Sequence, residues 1–168
     1  TLRGELGALP DAAAADVLLV LADDRSDTVL CAVNQSSPGV TLTPRRHVDP
    51  TSKLFDVGLD GVTARRLGVM SPDAVGGLVD DVLIVSAADA LGAAQAVMDL
   101  AIEYAKARRQ FDAPIGSFQA VQHLCVDMYE TVELARSGVI HALWAADSAD
   151  SAVRHLSALR AKAFAGRL

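Results

Sequence analysis

Three cations, an aromatic ring and several side-chain amides fall within residues 104–123, YAKARRQFDAPIGSFQAVQH. Lys106, Arg108 and Arg109 close an apolar helical run, the Asp112-Ala113-Pro114 turn follows, and a second helix opens at Ser117. A fixed hairpin of this composition suits an anion. Arg108 falls in the last turn of the first helix, and Phe111, one helical turn later, offers its ring to a planar group. Pro114 stiffens the turn. The helix opening at Ser117 has free N–H groups that attract phosphate. Gln119 adds an amide that both donates and accepts. A pyrophosphate or a nucleotide is the ligand such a set suits. Basic residues also end helices simply because the helix dipole favours cations there, and spacing alone leaves that alternative open.

Other site chemistries find little support. The four histidines, His47, His123, His141 and His155, have no metal-binding spacing, and His123 is a candidate to cap or line the hairpin. There is neither a Gly-Lys-Ser/Thr phosphate loop nor a Gly-x-Ser-x-Gly elbow. Asp80-Asp81 could be a paired carboxylate, but a solvated helix face is the favoured reading. Trp144 reads as core or as a subunit contact. No catalytic residue and no metal ligand is identified from spacing.

Two kinds of element must position the hairpin. Residues 17–21, VLLVL, form a short apolar run ended by Asp23-Asp24, the pattern of a strand buried on both faces. Residues 28–33 form a β-rich run leading into turn chemistry at 34–39. Residues 40–44 and 55–60 alternate, with Phe55, Val57 and Leu59 on one face. Four short strands with no helix between them predict antiparallel pairing. A Rossmann unit is excluded, since Asp23-Asp24-Arg25-Ser26 is no glycine-rich turn.

From Ser71-Pro72-Asp73, a helix-start signal, the sequence turns to Ala, Val, Leu and Ile up to residue 107. Ala87, Ala88, Gly92, Ala93 and Ala94 would let neighbouring helices come close. A helix of about 35 residues is about 50 Å long, which suggests further chain or partner subunits. In the second helix Phe118, Val121, Cys125, Met128, Val132, Ala135, Val139, Ala142 and Ala146 follow a three-four spacing, the seam of a helix bundle. A third helix is predicted over 151–165, with Val153, Leu156, Leu159 and Ala163 as its apolar stripe. The fold class expected is therefore α+β, with an antiparallel β-domain over 1–70 and long antiparallel helices of a bundle over 71–168.

Composition narrows the partners. A hydrophobic content of 51% provides ample core, and aromatics at 4% mean that this core is built from Ala, Val and Leu. The net charge of −6 argues against general nucleic-acid binding. Cys31 and Cys125 read as a reduced, buried pair. The apolar window 82–105 contains Asp89, Asp99 and Glu103, so a membrane span is not expected. A cytoplasmic protein is expected, with no basic n-region ahead of an apolar run. The abrupt start at Thr1 suggests cut ends.

At the hairpin the sequence resembles the acyl-CoA dehydrogenase family. The resemblance is carried by Arg108-x-x-Phe111 and by residues 113–123, APIGSFQAVQH. Ordered matches flank it: residues 15–20, 38–41, 49–54, Arg66-Leu67-Gly68, residues 89–92 and residues 160–166. The resemblance implies a middle β-domain followed by part of a C-terminal four-helix bundle. It implies FAD as cofactor and oxidation of an acyl-CoA thioester to the trans-2-enoyl-CoA, with electrons passing to an electron-transfer flavoprotein. It also implies a homo- or hetero-oligomer, dimer or tetramer, in which Arg108, Phe111 and Gln119 contact FAD held mainly by a neighbouring subunit.

The departures from the family pattern are specific. The N-terminal helical domain, the fourth bundle helix and the usual position of the catalytic glutamate are not in this sequence. Val82 stands where a minority of the family places its base, and Leu83 where an arginine is common. Asp112 stands where glycine is usual, and Asp tolerates the left-handed conformation better than most residues. Two alternatives accompany the dehydrogenase reading: a base-less, FAD-supporting partner subunit of a heteromeric enzyme, and a structural assembly module.

Overall fold

The computed structural model describes residues 1–49 and 51–168, and the chain divides into two units, Thr1–Ser71 and Pro72–Leu168. The first is all β and the second all but helical, which gives the expected α+β class.

The β unit holds six strands among the described residues: β1 (Leu2–Pro10), β2 (Val17–Asp24), β3 (Asp27–Asn34), β4 (Val40–Arg45), β5 (Leu54–Val62) and β6 (Arg65–Met70). The four predicted strands are β2 to β5, and every pairing is antiparallel. β1 and β6 are additions. β1 hides its periodicity because Gly4, Gly7 and a register shift between Leu6 and Leu9 break the alternation. There Gly7 and Ala8 both stand against Asp56, a β-bulge that puts Ala8 at φ 56. The Asp56 carboxylate accepts the bulged N–H of Ala8 at 3.1 Å and also faces Arg45 at 3.6 Å.

Sheets β1-β5-β4 and β2-β3-β6 share one core of Leu18, Val20, Val33, Val57, Leu59 and Val62. β2 corrects an expectation. Leu18 and Val20 are buried, but Val17, Leu19 and Leu21 are exposed in this chain, Leu19 by 64%. An apolar run cannot by itself show which of its faces is covered. Cys31 is buried in this unit, whereas Cys125 of the helical unit is only half-buried; both are free thiols.

The helical unit comprises α1 (Pro72–Ala107), a short hairpin, α2 (Gln119–Ser148) and α3 (Ser151–Ala165). Proline at the first position of α1 loses no intrahelical bond there. Asp150 caps α3, its side chain accepting from Val153 N at 2.9 Å. The common core is mostly alanine: Ala87, Ala135, Ala142, Ala158 and Ala161 are fully buried, with Ile84, Met98, Val132 and Val139 between them. At Gly138 an added Cβ would make ordinary van der Waals contact with the Phe164 ring, at 3.6 Å. Of the small residues predicted to admit neighbours, Ala87 does so, while Gly92 and Ala93 are exposed.

Two predicted stripes need correction. On α2 the seam is buried from Val132 to Ala142, but Val121 and Cys125 are only half-buried and Phe118 is exposed. Beside these half-buried residues the described chain has a groove of about 850 Å³, lined by Ala94, Met98, Leu124, Cys125 and Met128 and by Ala165 and Leu168 at the last residues of the sequence. On α3 the predicted stripe Val153, Leu156, Leu159 and Ala163 faces outward, and Ser157, Ala158, Ala161 and Ala165 form the buried face. The α3 side of this core is built from small side chains, facing larger ones such as Ile84 and Val139.

One polar cluster lies at the opposite end of the bundle from the hairpin, and it overturns the solvated-face reading of Asp80. Asp80 is 3% exposed and its carboxylate accepts from His155 Nδ1 at 2.7 Å. Arg154 Nε approaches the other oxygen at 3.9 Å. The same guanidinium donates to Asp81 at 2.7 Å, to the Gly77 carbonyl at 3.0 Å and to the Ala146 carbonyl at 3.3 Å. All three helices are thus tied by one arginine. The signal was present in the sequence, because Asp80 shares the buried register of Ile84, Ala87 and Leu91. Its partners lie 75 residues away, beyond any local pattern.

Two stability predictions follow from these contacts. Asp80→Ala removes the acceptor for His155 and leaves Arg154 poorly matched, and should lower unfolding free energy in urea by about 2–4 kcal/mol. A loss under about 0.5 kcal/mol would show that the cluster does not hold the helices. In the β unit Gly39 has φ 90, and an added Cβ would sit 2.4 Å from the Asp60 carbonyl oxygen. Gly39→Ala should therefore cost about 2–4 kcal/mol, read as a drop in melting temperature.

Candidate functional site

α1 stops at Ala107, and Arg108 follows it, still donating its backbone N–H to Tyr104 O at 2.8 Å. Arg108 was expected within the last turn and stands one residue beyond it. The hairpin consists of two short strands, β7 (Arg109–Gln110) and β8 (Ala113–Pro114), paired Arg109 with Pro114 and Gln110 with Ala113. Phe111 and Asp112 form the two-residue tip with φ 51 and φ 61. Two successive left-handed residues are what a type I′ hairpin requires. Asp112 takes the left-handed conformation as its sequence position implied; Phe111 does so without any sequence signal for it.

Phe111 is therefore at a hairpin tip and not a helical turn beyond Arg108, and its side chain is 90% exposed. Its ring meets Phe118 edge-on, with centroids 6.1 Å apart and planes at 89°. A 3-10 turn over Ile115–Ser117 joins the hairpin to α2, which begins at Gln119 with Phe118 as N-cap. The helix start expected at Ser117 is thus displaced by two residues. The Ser117 hydroxyl donates to Pro114 O at 2.7 Å and makes no capping bond to α2.

The hairpin is pinned to the end of α1. Ile115 N donates to Arg108 O at 2.8 Å, and Gly116 lies so close that an added Cβ would meet Ala105 O at 3.0 Å. Gln122 Nε2 donates to Gly116 O at 3.0 Å, the bracing role that His123 was a candidate for; His123 is exposed. Pro114 and Ile115 are half-buried, so the base of the hairpin is packed while its tip is bare.

The three cations differ in what occupies them. Lys106 pairs with Glu103 at 2.6 Å, and Arg109 donates across the hairpin to Asp112 O at 2.5 Å. The Arg108 guanidinium is exposed and has no hydrogen-bond or ion-pair partner among the described residues. Gln119 is likewise exposed at the first position of α2, its amide without a partner among the described residues. Cation, ring and amide therefore all stand on this hairpin and the helix it leads into.

Elsewhere the chemistry is sparse. No group of three or more His, Cys, Asp or Glu side chains among the described residues could hold a metal ion. Asp49, on an exposed loop of the β unit, has its carboxyl held below the usual range by the Thr51 hydroxyl and then the Thr51 N–H, both of which donate to it. Trp144 is exposed beside His141, with ring centroids 5.5 Å apart, and so is not core. Val82 is 66% exposed on α1 and carries no proton-accepting group. No helix among the described residues is long and apolar enough to cross a membrane.

Comparison with known proteins gives this geometry a family. The model of the acyl-CoA dehydrogenase C-terminal domain matches residues 84–168, half of the chain and including the whole hairpin. Acyl-CoA dehydrogenase IpdE2 of Mycobacterium tuberculosis (strain ATCC 25618 / H37Rv) is 36% identical over 118 residues, 70% of this chain and 35% of that protein. Benzylmalonyl-CoA dehydrogenase of Aromatoleum aromaticum (strain DSM 19018 / LMG 30748 / EbN1) is 31% identical over 174 residues, 98% of this chain and 46% of that one. The ChsE4-ChsE5 complex from Mycobacterium tuberculosis contains a chain of similar structure, with a TM-score of 0.84 and 28% identity over 99% of this chain and 46% of that chain. The chain spans a third to a half of the length of these relatives. By the length and position of the family match, with both units retained in the related structure, this chain belongs to the acyl-CoA dehydrogenase family.

Proposed function

We propose that the protein works as an FAD-dependent acyl-CoA dehydrogenase, oxidising the Cα–Cβ bond of an acyl-CoA thioester to the trans-2-enoyl-CoA. The free guanidinium of Arg108 carries this reading: it is the one member of its basic cluster left without a partner among the described residues. The group fits FAD. Arg108 would meet the pyrophosphate as a charge-assisted donor, Phe111 would lie beside a planar ring, and Gln119 would donate or accept at the remaining polar edge. When bound, FAD supplies the hydride acceptor for the Cβ–H bond. The α-proton would go to a carboxylate base that none of the positions discussed provides, and an electron-transfer flavoprotein would be the electron acceptor. In this reading the hairpin binds and orients cofactor at the border with a neighbouring subunit.

A second reading, that of a base-less partner subunit lending the hairpin to a catalytic neighbour, is favoured by Val82 and Leu83 on α1 and by the two-component ChsE4-ChsE5 relative. Flavin absorbance in the purified protein that bleaches on adding acyl-CoA supports the dehydrogenase. Flavin retained only on co-expression with a second polypeptide supports the partner subunit. Absence of flavin under both conditions would leave a structural assembly module. Arg108→Ala should weaken FAD retention about tenfold or more, as expected for a lost charge-assisted contact, with helical content unchanged by circular dichroism. An unaltered FAD affinity would remove the role given to Arg108.

A further inference from the structure

Phe111 and Phe118 each break a local rule of the element they belong to, and they touch each other. Phe111 has φ 51, a conformation that favours Gly, Asn or Asp at a hairpin tip. Phe118 occupies the N-cap of α2, where Ser, Thr, Asp or Asn is favoured, and makes no side-chain capping bond. α3 shows the ordinary solution, with Asp150 capping Val153 N. Burial within this chain accounts for Phe118 only in part and for Phe111 hardly at all, at 37% and 90% exposed. Choices that neither the turn nor the helix cap favours, converging on one ring contact, point to a functional position.

The two rings are not held equally. Phe118 is fixed to the body of the helical unit: its N–H donates to Ile115 O at 3.2 Å, and its carbonyl accepts from Val121 and Gln122 N–H at 3.0 and 3.1 Å. Phe111 sits on a tip closed only by a two-residue strand pair and the Arg109–Asp112 contact. An edge-to-face contact at 6.1 Å lies in the favourable range for aromatic pairs and fixes the tilt of the looser ring against the firmer one. We propose that Phe118 is a positioning residue, holding the Phe111 ring ready to lie against a planar conjugated ring system before that ligand arrives. The inference rests on the FAD reading of the hairpin and assigns the ordering of the Phe111 ring to Phe118.

The test uses the assembled protein stripped of flavin and titrated with FAD, followed by flavin fluorescence, with melting temperature measured in parallel. Phe118→Ser installs a favoured N-cap and removes the ring. It should melt at or above the wild type while binding FAD about five- to tenfold more weakly, a split that a merely structural residue would not give. Phe118→Tyr keeps the ring and should bind within about twofold of wild type. Should the serine variant fail to fold, Phe118→Leu serves the same comparison. Wild-type FAD affinity in Phe118→Ser, beside weakened binding in Arg108→Ala, overturns the positioning role and leaves the FAD reading standing. Unchanged affinity in both variants overturns the FAD reading and the positioning role together.

Discussion

The reversal of the chain between α1 and α2 is the constraint on which the helical unit depends. Two long helices can lie antiparallel only if the chain turns back within the eleven residues that separate them. Two consecutive left-handed residues achieve this, at positions where neither side chain is glycine. The cost is met at the base of the hairpin. There Arg108 O, Pro114 O, Gly116 O and Ala105 O are each hydrogen-bonded or closely packed by a neighbouring segment. The backbone of the hairpin is thus settled at its base, while the tip and the Arg108 guanidinium stay exposed in this chain.

The interior follows from the same closeness. Alanine supplies about half of the three-helix contact, so the helices meet near the backbone at those positions. Such an interface gains little from each side chain and much from fit. Against the amphipathic reading of α3, its valine and leucines are exposed in this chain, and its small residues Ser157, Ala158, Ala161 and Ala165 face the core. The Asp80–Arg154–His155 cluster then supplies what alanine cannot, a contact with direction.

How much could be read from sequence depended on the range of the signal. Strands with intact alternation, β4 and β5, and the start of α1 at Pro72 were legible, as was the extent of α3, although the Asp150 cap that begins it was not recognised. β1 was not, because a bulge shifts its period, and β6 was not, because Arg65-Arg66 and Gly68 mask a short edge. The chemistry-bearing residues of the hairpin were legible by type and by family resemblance, yet their geometry was not. Nothing in Phe111 announces a left-handed backbone, and a helix reading placed it a turn away from where it stands. Asp80 was missed for the opposite reason. Its local context suggested a solvated face, and only partners brought in from the far end of the chain make burial tolerable.

Gathering the directional contacts at one place has a consequence for how the helical unit can come apart. Near Ile84 and Val139 the three helices are both packed and fastened, by the buried core and by Arg154, which donates to the Gly77 carbonyl on α1 and the Ala146 carbonyl on α2. Local stability follows the density of buried contacts. A fluctuation that frees one helix there must break its bonds to the others, so at that point the three behave as a single cooperative body.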